Sequence, residues 1–460
     1  MAFKKLPSYL LAGLATLSSA LYAQQEPADL LEIYQQALAN DAELAAAGAS
    51  LKANEELPNQ GLAGLLPNIT LNASTAKATD RSLNATSLPG INRTRDFNEH
   101  GWAAQLVQPV FRLERWFTYT RAEALSDQAQ AEFSAIQQDL ILRVADAYFE
   151  VLRAQDTLTT TISEEKAFKR QLEQAEQRFE VGLIAQTDVH EARAVYDNAR
   201  VNRIVAENNV EVSLERLRTL TAREHRQIGS LNKEMPVVNP TPEVKEEWVN
   251  SSLVQNLNIA AAREAVRATE EALKLSKSGH APTLDAIATY SHNVTGDPSF
   301  SLTGFNGKQN SQYYGLQLSV PIYSGGGTSS RVREATYRLQ EAQDRLDSLN
   351  RQTSQRTRNL YSSVTADVQR ISARAQGIIS TQSALDATES GYEVGSRNIV
   401  DVLNAQRNLY ASQRDYLNAR YDYLLNTLRL KREAGTLSPQ DLTDLNQWIT
   451  KTSTELLPKL

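Results

Sequence analysis

The chain has 460 residues, 41% of them hydrophobic and 22% charged, with a mean hydropathy of -0.43 and a net charge of -6. Both signs of charge are interspersed, so there is no basic patch to neutralise phosphates, and no nucleic-acid partner is expected. Cysteine is absent, which excludes a disulfide framework, a cysteine metal site and an N-terminal lipidated cysteine.

At the N-terminus, Lys4 and Lys5 precede an apolar run of about fifteen residues, and small residues follow near Ala20 and Ala23, which is the layout of a secretory signal. Residues 1–23 are therefore expected to be removed and the chain exported. No later stretch reaches the roughly 20 apolar residues of a spanning helix.

Two short segments then alternate with period two. In "PNITLNAST", Ile69, Leu71 and Ala73 alternate with Thr70, Asn72 and Ser74; in "GWAAQLVQPVF", Trp102, Ala104 and Leu106 alternate with Ala103, Gln105 and Val107. The polar stretch from Ala76 to His100 between them is expected to be an exposed hairpin loop. From Pro109 to Pro236 there is no proline, and the glycines are Gly182 and Gly229, which predicts very long helix. Leu140, Val144, Ala147, Tyr148, Val151, Leu152 and Gln155 recur at three- and four-residue steps, the pattern of a narrow coiled-coil seam. A helix of roughly 65 residues is about 100 Å long, too long for a compact domain.

Prolines gather in "MPVVNPTPEVKEE", and the design then repeats. "PTLDAIATYSHN" places Leu284, Ala286, Ala288 and Tyr290 on one face. "YYGLQLSVPIY" places Tyr314, Leu316, Leu318, Val320 and Ile322 opposite Gly315, Gln317 and Ser319. Val294 to Gln312 is expected to be a second loop, and a second long helix is predicted from about Arg331 to Ser390. Pro67 corresponds to Pro282, Pro109 to Pro321, Gly182 to Gly395 and Asp188 to Asp401 at a near-constant offset, so one structural unit has been duplicated. The expected organisation is a first unit at 24–235, a linker at 236–250, a second unit at 251–437 and a terminal segment at 438–460.

The strands suit either a transmembrane β-barrel, whose tilted strands need about 9–11 residues, or a small soluble sheet. Four strands cannot close a barrel, and open edges are not tolerated in lipid, so in the first case several chains share one barrel. Gly325 to Gly327 lack the endings of a phosphate loop and read as a strand-to-helix connection. The histidines are scattered without the i,i+3 or i,i+4 spacing of a helical metal site. No nucleophile, base and orienting residue form a set, so neither an enzyme nor a cofactor is expected. Asn398 and Asp401 fit a helix N-cap and its third helical position.

In the order "LLEIYQQALANDAEL", "LPNITL", "ADAYFEVLRAQD", "RFEVGLIAQTDV", "HAPTLD", "LSVPIYSGGG", "LDATESGYEVGSRNIVDVLNAQ", "ARYDYLLNTLRLK" and "GTLSPQDL", the mature chain resembles the TolC family of outer-membrane channel-tunnels, and its non-lipidated members most. The resemblance implies a mainly α fold with a small membrane β part. It further implies a homotrimer whose four strands per chain form a twelve-stranded barrel continuous with a long periplasmic α-helical barrel, with 236–250 and 438–460 in its equatorial region. It implies an exit duct of the Gram-negative outer membrane for tripartite drug efflux or type I secretion. Its partners would be a periplasmic adaptor (membrane fusion protein), an inner-membrane RND, ABC or MFS transporter, and outer-membrane lipid.

By the same resemblance Asp401 matches an acidic ring at the periplasmic constriction, while Asn404 stands where the family pattern has a second aspartate. Thr187, Asp188, Tyr392 and Arg397 match links that hold the gate closed, and Gln171 and Glu389 match another. Val181, Gly182, Leu183, Val394, Gly395 and Ser396 match the hairpin tips that receive the adaptor. The reading from a different class is a periplasmic coiled-coil adaptor or scaffold without a pore, although no lipoyl-like or small-barrel segment flanks a hairpin here.

Overall fold

The computed structural model describes residues 27–82, 93–225, 227–296 and 307–450. The expected signal at 1–23 lies outside them, as do the centres of both expected loops and the last part of the 438–460 segment. In chain order the elements are α1 (Leu30–Asn40), α2 (Ala42–Ala63), β1 (Asn68–Ser82), β2 (Arg93–Phe111), α3 (Leu113–Glu180), α4 (Gln186–Thr221), β3 (Ser230–Leu231) and α5 (Lys245–Gln255). They continue with α6 (Leu257–Ser278), β4 (Thr283–Gly296), β5 (Lys308–Ser319), α7 (Gly327–Glu393), α8 (Ile399–Glu433), α9 (Pro439–Asn446) and β6 (Ile449–Thr450). The order helix, strand, strand, long helix, helix occurs twice, in α2–α4 and in α6–α8. Helix α5 begins inside the stretch expected to be a linker: beyond the prolines, Glu246 and Glu247 occupy its first turn, where acidic groups favour the helix dipole.

The chain forms two compact units, one from 48–133 and 257–350, the other from the flanking and intervening segments. In the first unit β1, β2, β4 and β5 form an antiparallel sheet in that order. Its register aligns Ile69, Leu106, Ala288 and Tyr314 in one cross-strand row, and Leu71, Ala104, Tyr290 and Gln312 in the next row on the same face. The opposite face carries Thr70, Gln105, Thr289 and Tyr313, then Asn72, Ala103, Ser291 and Ser311. One face is thus apolar and the other mostly polar, as the alternation predicts.

The strands run further than their apolar pattern. β1 and β2 pair from Asn68–Val107 out to Ser82–Arg93, well inside the stretch expected to be a loop, and β4 and β5 likewise pair as far as Val294 and Lys308. A ladder needs backbone donors and acceptors rather than apolar side chains, so pairing persists where alternation fades. At the other end β5 stops at Ser319. Pro321 has no N–H to extend the ladder, and Val320 and Ile322 lie beyond the strand rather than on its apolar face. Helix α6 is tied to α3 by Thr120, whose hydroxyl donates to Glu271 at 2.7 Å, and by Arg267 with Asp127 at 2.7 Å.

In the second unit, residues 140–154 of α3 are buried nearly all round rather than along a narrow seam, because Ile141, Ala145 and Phe149 are also enclosed. Short elements cover the sides that a two-helix contact would leave wet. Asp41, ending α1, pairs with Arg143 at 3.0 Å; Tyr148 donates to the carbonyl of Gly229 at 2.9 Å; and Phe149 lies 6.1 Å from the ring of Tyr421 on α8. The Tyr421 hydroxyl donates to Asp156 at 2.6 Å, and β3 pairs with β6.

The two copies end their last helices differently. Gly435 (φ 75°) and its counterpart Ala222 (φ 53°) both adopt the left-handed conformation, and at Gly435 a side chain would collide with the carbonyl of Gln255. Alanine is strained in this region and glycine is not, although glycine gives more freedom to the unfolded chain. Ala222→Gly is expected to stabilise the protein by about 0.5–1 kcal/mol, read as a higher denaturant midpoint.

Candidate functional site

The doubled Glu-Val-Gly phrase forms two helix-ending turns of the same construction. After α3, Gly182 (φ 76°) donates to Phe179 at 2.9 Å and Leu183 donates to Arg178 at 2.9 Å. After α7, Gly395 (φ 78°) donates to Tyr392 at 3.1 Å and Ser396 donates to Gly391 at 2.8 Å. This six-to-one and five-to-two pairing satisfies the last carbonyls of each helix and needs a residue free to take positive φ. Outside the turns, Val181, Leu183 and Val394 are 70%, 73% and 80% exposed. Behind them Phe168, Leu172, Val189, Ala192, Ile399 and Leu403 form a closed core that anchors both tips.

The copies diverge immediately after the turn. Asn398 caps α8 by accepting from the Asp401 N–H at 2.8 Å, and the Asp401 carboxylate accepts from the Asn398 N–H at 3.4 Å. In α4 the corresponding cap is Ala185, whose side chain makes no such bond, so Asp188 at the third helical position has no reciprocal partner. Asp401 is therefore a capping residue. Its side chain also stays 38% exposed and sits 3.9 Å from the Arg397 guanidinium. Asn404, one turn on and exposed, accepts a long bond from Arg407 at 3.4 Å. Val402 and Leu403 face the core, so Asp401 and Asn404 share the outward-looking side of α8.

Of the other predicted positions, Gln171 and Glu389 line one cleft of 590 Å³, together with Tyr392 and Arg178. Burial, reinforced by the charges of Asp386 and Glu393, pushes the Glu389 carboxyl above its usual range. Tyr392 packs against that core and against a second cluster of Leu385, Val402 and Leu409, and the Arg178 guanidinium lies 4.8 Å from its ring centroid. Sequence reading passed over Arg178, whose one signal is its place just ahead of Phe-Glu-Val-Gly. Thr187 and Asp188 stand in the first turn of α4. Among the described residues, no side-chain hydrogen bond within the chain joins them to Tyr392 or Arg397.

A carboxyl whose pKa is raised on folding binds its proton at a pH where the unfolded chain has lost it. Glu389 therefore disfavours the folded state most above its raised pKa, and the penalty disappears as pH falls to the unfolded value. Glu389→Gln is expected to raise the melting temperature at pH 7 and to leave it near that of wild type at pH 4. A shift equal at both pH values would reject this account.

Very long helices closed by paired glycine turns, with a four-stranded sheet apolar on one face, are the architecture of the TolC-like channel-tunnels. The chain belongs to the outer membrane efflux protein family, whose model matches residues 33–223 and 248–436. It is similar to outer membrane protein TolC of Vibrio cholerae, with 37% identity over 447 residues, 96% of this chain and 98% of that protein. It is also similar to the proteases secretion protein PrtF of Dickeya chrysanthemi, with 29% identity over 428 residues, 91% of this chain and 90% of that protein. In fold it matches the CmeC outer membrane channel of Campylobacter jejuni, with a TM-score of 0.75 over 97% of this chain and 98% of that one, at 14% identity. The mainly α, TolC-like fold expected from the sequence is the one found, and the protein is an outer-membrane protein of a Gram-negative bacterium.

Proposed function

We propose that three copies of this chain form a passive exit duct, which catalyses nothing and carries cargo from the periplasm to the exterior. The observation that carries this reading is the sheet: its outer strands β1 and β5 are each paired on one side within the chain, and one of its faces is apolar. In hydrocarbon each unpaired backbone group costs several kcal/mol, so both edges must pair with further copies. Resemblance to the family sets the number at three, giving twelve strands, with the halves 24–235 and 251–437 each supplying two per chain. The polar face then lines the lumen.

The sheet, apolar on one face, is the part that spans the membrane. The tips, Val181 to Leu183 and Val394 to Ser396, receive a periplasmic adaptor, and an inner-membrane RND, ABC or MFS transporter supplies the energy. Likeness to TolC and to a protein named for protease secretion supports both drug efflux and type I secretion. At the closed end Asp401 contributes one carboxylate per chain, and Asn404 narrows the pore without adding charge.

Heat-modifiable trimers and single-channel current in planar bilayers test the duct. A pore-free adaptor or scaffold would give neither, and an absence of current even after the gate links are cut would overturn the reading. In a salt gradient, Asp401→Ala is expected to lower cation preference and Asn404→Asp to raise it, read as opposite shifts in reversal potential.

A further inference from the structure

The apolar face of the sheet ends in an aromatic row: Ala73, Trp102, His292 and Asn310 are in register, and the Trp102 ring lies 5.2 Å from Tyr290 and 6.4 Å from His292. The next row on that face, away from the helix-bearing strand ends, is Thr75, His100, Val294 and Lys308, and the row after it begins with Lys77. The face thus changes within two rows from uncharged to cationic, and Lys77, His100 and Lys308 are all exposed. Its one described carboxylate beyond the aromatic row, Asp96, is occupied by the Thr79 hydroxyl at 2.6 Å. At the same height the opposite face carries Glu99, paired with Ala76. Beyond the aromatic row this face therefore carries two lysines and a histidine against the single described carboxylate of Asp96.

We infer that Lys77, His100 and Lys308, with His292 below them, form a binding surface for phosphate groups on lipid of the outer leaflet. This rests on the outer-membrane duct reading, which turns the apolar face to lipid and the far strand ends to the exterior. Strands about 4.8 Å apart put His100 and Lys308, on either side of Val294, roughly 10 Å from each other, and Lys77 is diagonal to His100 at about 7–8 Å. Lysine stems cross that gap along the sheet while keeping the ammonium groups at headgroup height. His292 Nδ1 is engaged by Asn310 Oδ1 at 2.5 Å, which fixes its ring beside Trp102. A phosphate in this saddle meets donors from three strands above an aromatic band that sets the depth of the acyl chains. The chemistry selects a phosphorylated lipid over a zwitterionic or dephosphorylated one.

The test titrates the full-length protein in dodecyl maltoside with a fluorescent diphosphorylated glycolipid and with its dephosphorylated form. Wild type is expected to prefer the phosphorylated lipid. The double variant Lys77→Gln/Lys308→Gln is expected to bind it about 30-fold more weakly, at roughly fivefold per lysine near an anionic surface. Lys52→Gln on α2 should bind as wild type does. Equal wild-type affinity for the two lipids, an unchanged double variant, or full displacement by millimolar inorganic phosphate, which marks a free-anion site, would each overturn the proposal. Conductance in neutral phosphatidylcholine bilayers separates the two levels: normal current without lipid preference rejects the lipid surface alone, whereas no current from either protein rejects the duct and the surface with it.

Discussion

Arg397→Ser combined with Tyr392→Phe is expected to raise single-channel conductance severalfold and to leave the protein folded. The hairpin tips stand on buried Ile399, Leu403 and Phe168, which the double change leaves in place together with the ring at 392 that packs against them. What it removes is peripheral: the Arg397 guanidinium, 61% exposed beside Asp401, and the Tyr392 hydroxyl. Phenylalanine keeps the ring under Arg178, so packing at the tip survives. An exposed polar link contributes about 0–1 kcal/mol, but the gate proposed above, built from three chains, multiplies it. A loss of roughly 1 kcal/mol per chain shifts the ratio of open to closed states by about 150-fold in a concerted opening. Arg178→Ala should act in the same direction, because it frees the ring that joins α3 to α7. Unchanged conductance in the double variant would remove both residues from the closing set.

Arg112→Met is expected to cost about 3–5 kcal/mol, the largest loss of stability predicted for a single change. Arg112 leaves β2 at the base of the sheet and grips Asp285 of β4 with two parallel bonds, Nε to Oδ1 at 2.7 Å and Nη2 to Oδ2 at 2.6 Å. The Asp285 side chain is 8% exposed. Removing the guanidinium leaves that carboxylate enclosed without a counter-charge, at a point where both strands meet their helices. Paired replacement, Arg112→Met with Asp285→Leu, should recover most of the loss, since no charge then remains unpaired. Heat resistance of the protein in mild detergent reads both variants. A double variant as unstable as the single one would show that packing, rather than charge, is what Arg112 supplies.

Much of the fold was legible in the sequence because its signals are local. A stretch free of proline reads as helix whatever it packs on; a glycine after the last helical turn marks a left-handed residue; and alternation from Ile69 to Ala73 names the face of a strand. The cap of α8 was legible for a different reason, since duplication supplied an internal control: Ala185 against Asn398 shows which copy acquired the capping box around Asp401. Arg178 over Tyr392 was not legible. Its partner lies more than two hundred positions away, and an arginine on a polar helix carries no mark of what it covers.

By itself, then, the sequence determined the repeated unit, the two long helices, the glycine turns and the apolar face of the sheet, all of which follow from backbone preference and nearest-neighbour pattern. Tertiary structure alone decided where the strands end, that α3 is enclosed around Tyr148 and Phe149, that Arg112 meets Asp285, and that cations gather above Trp102 on one face. The physical reason is common to these cases. Each depends on a hydrogen-bonding register or a packing contact between elements far apart in the chain, and its energy belongs to the pair rather than to either segment.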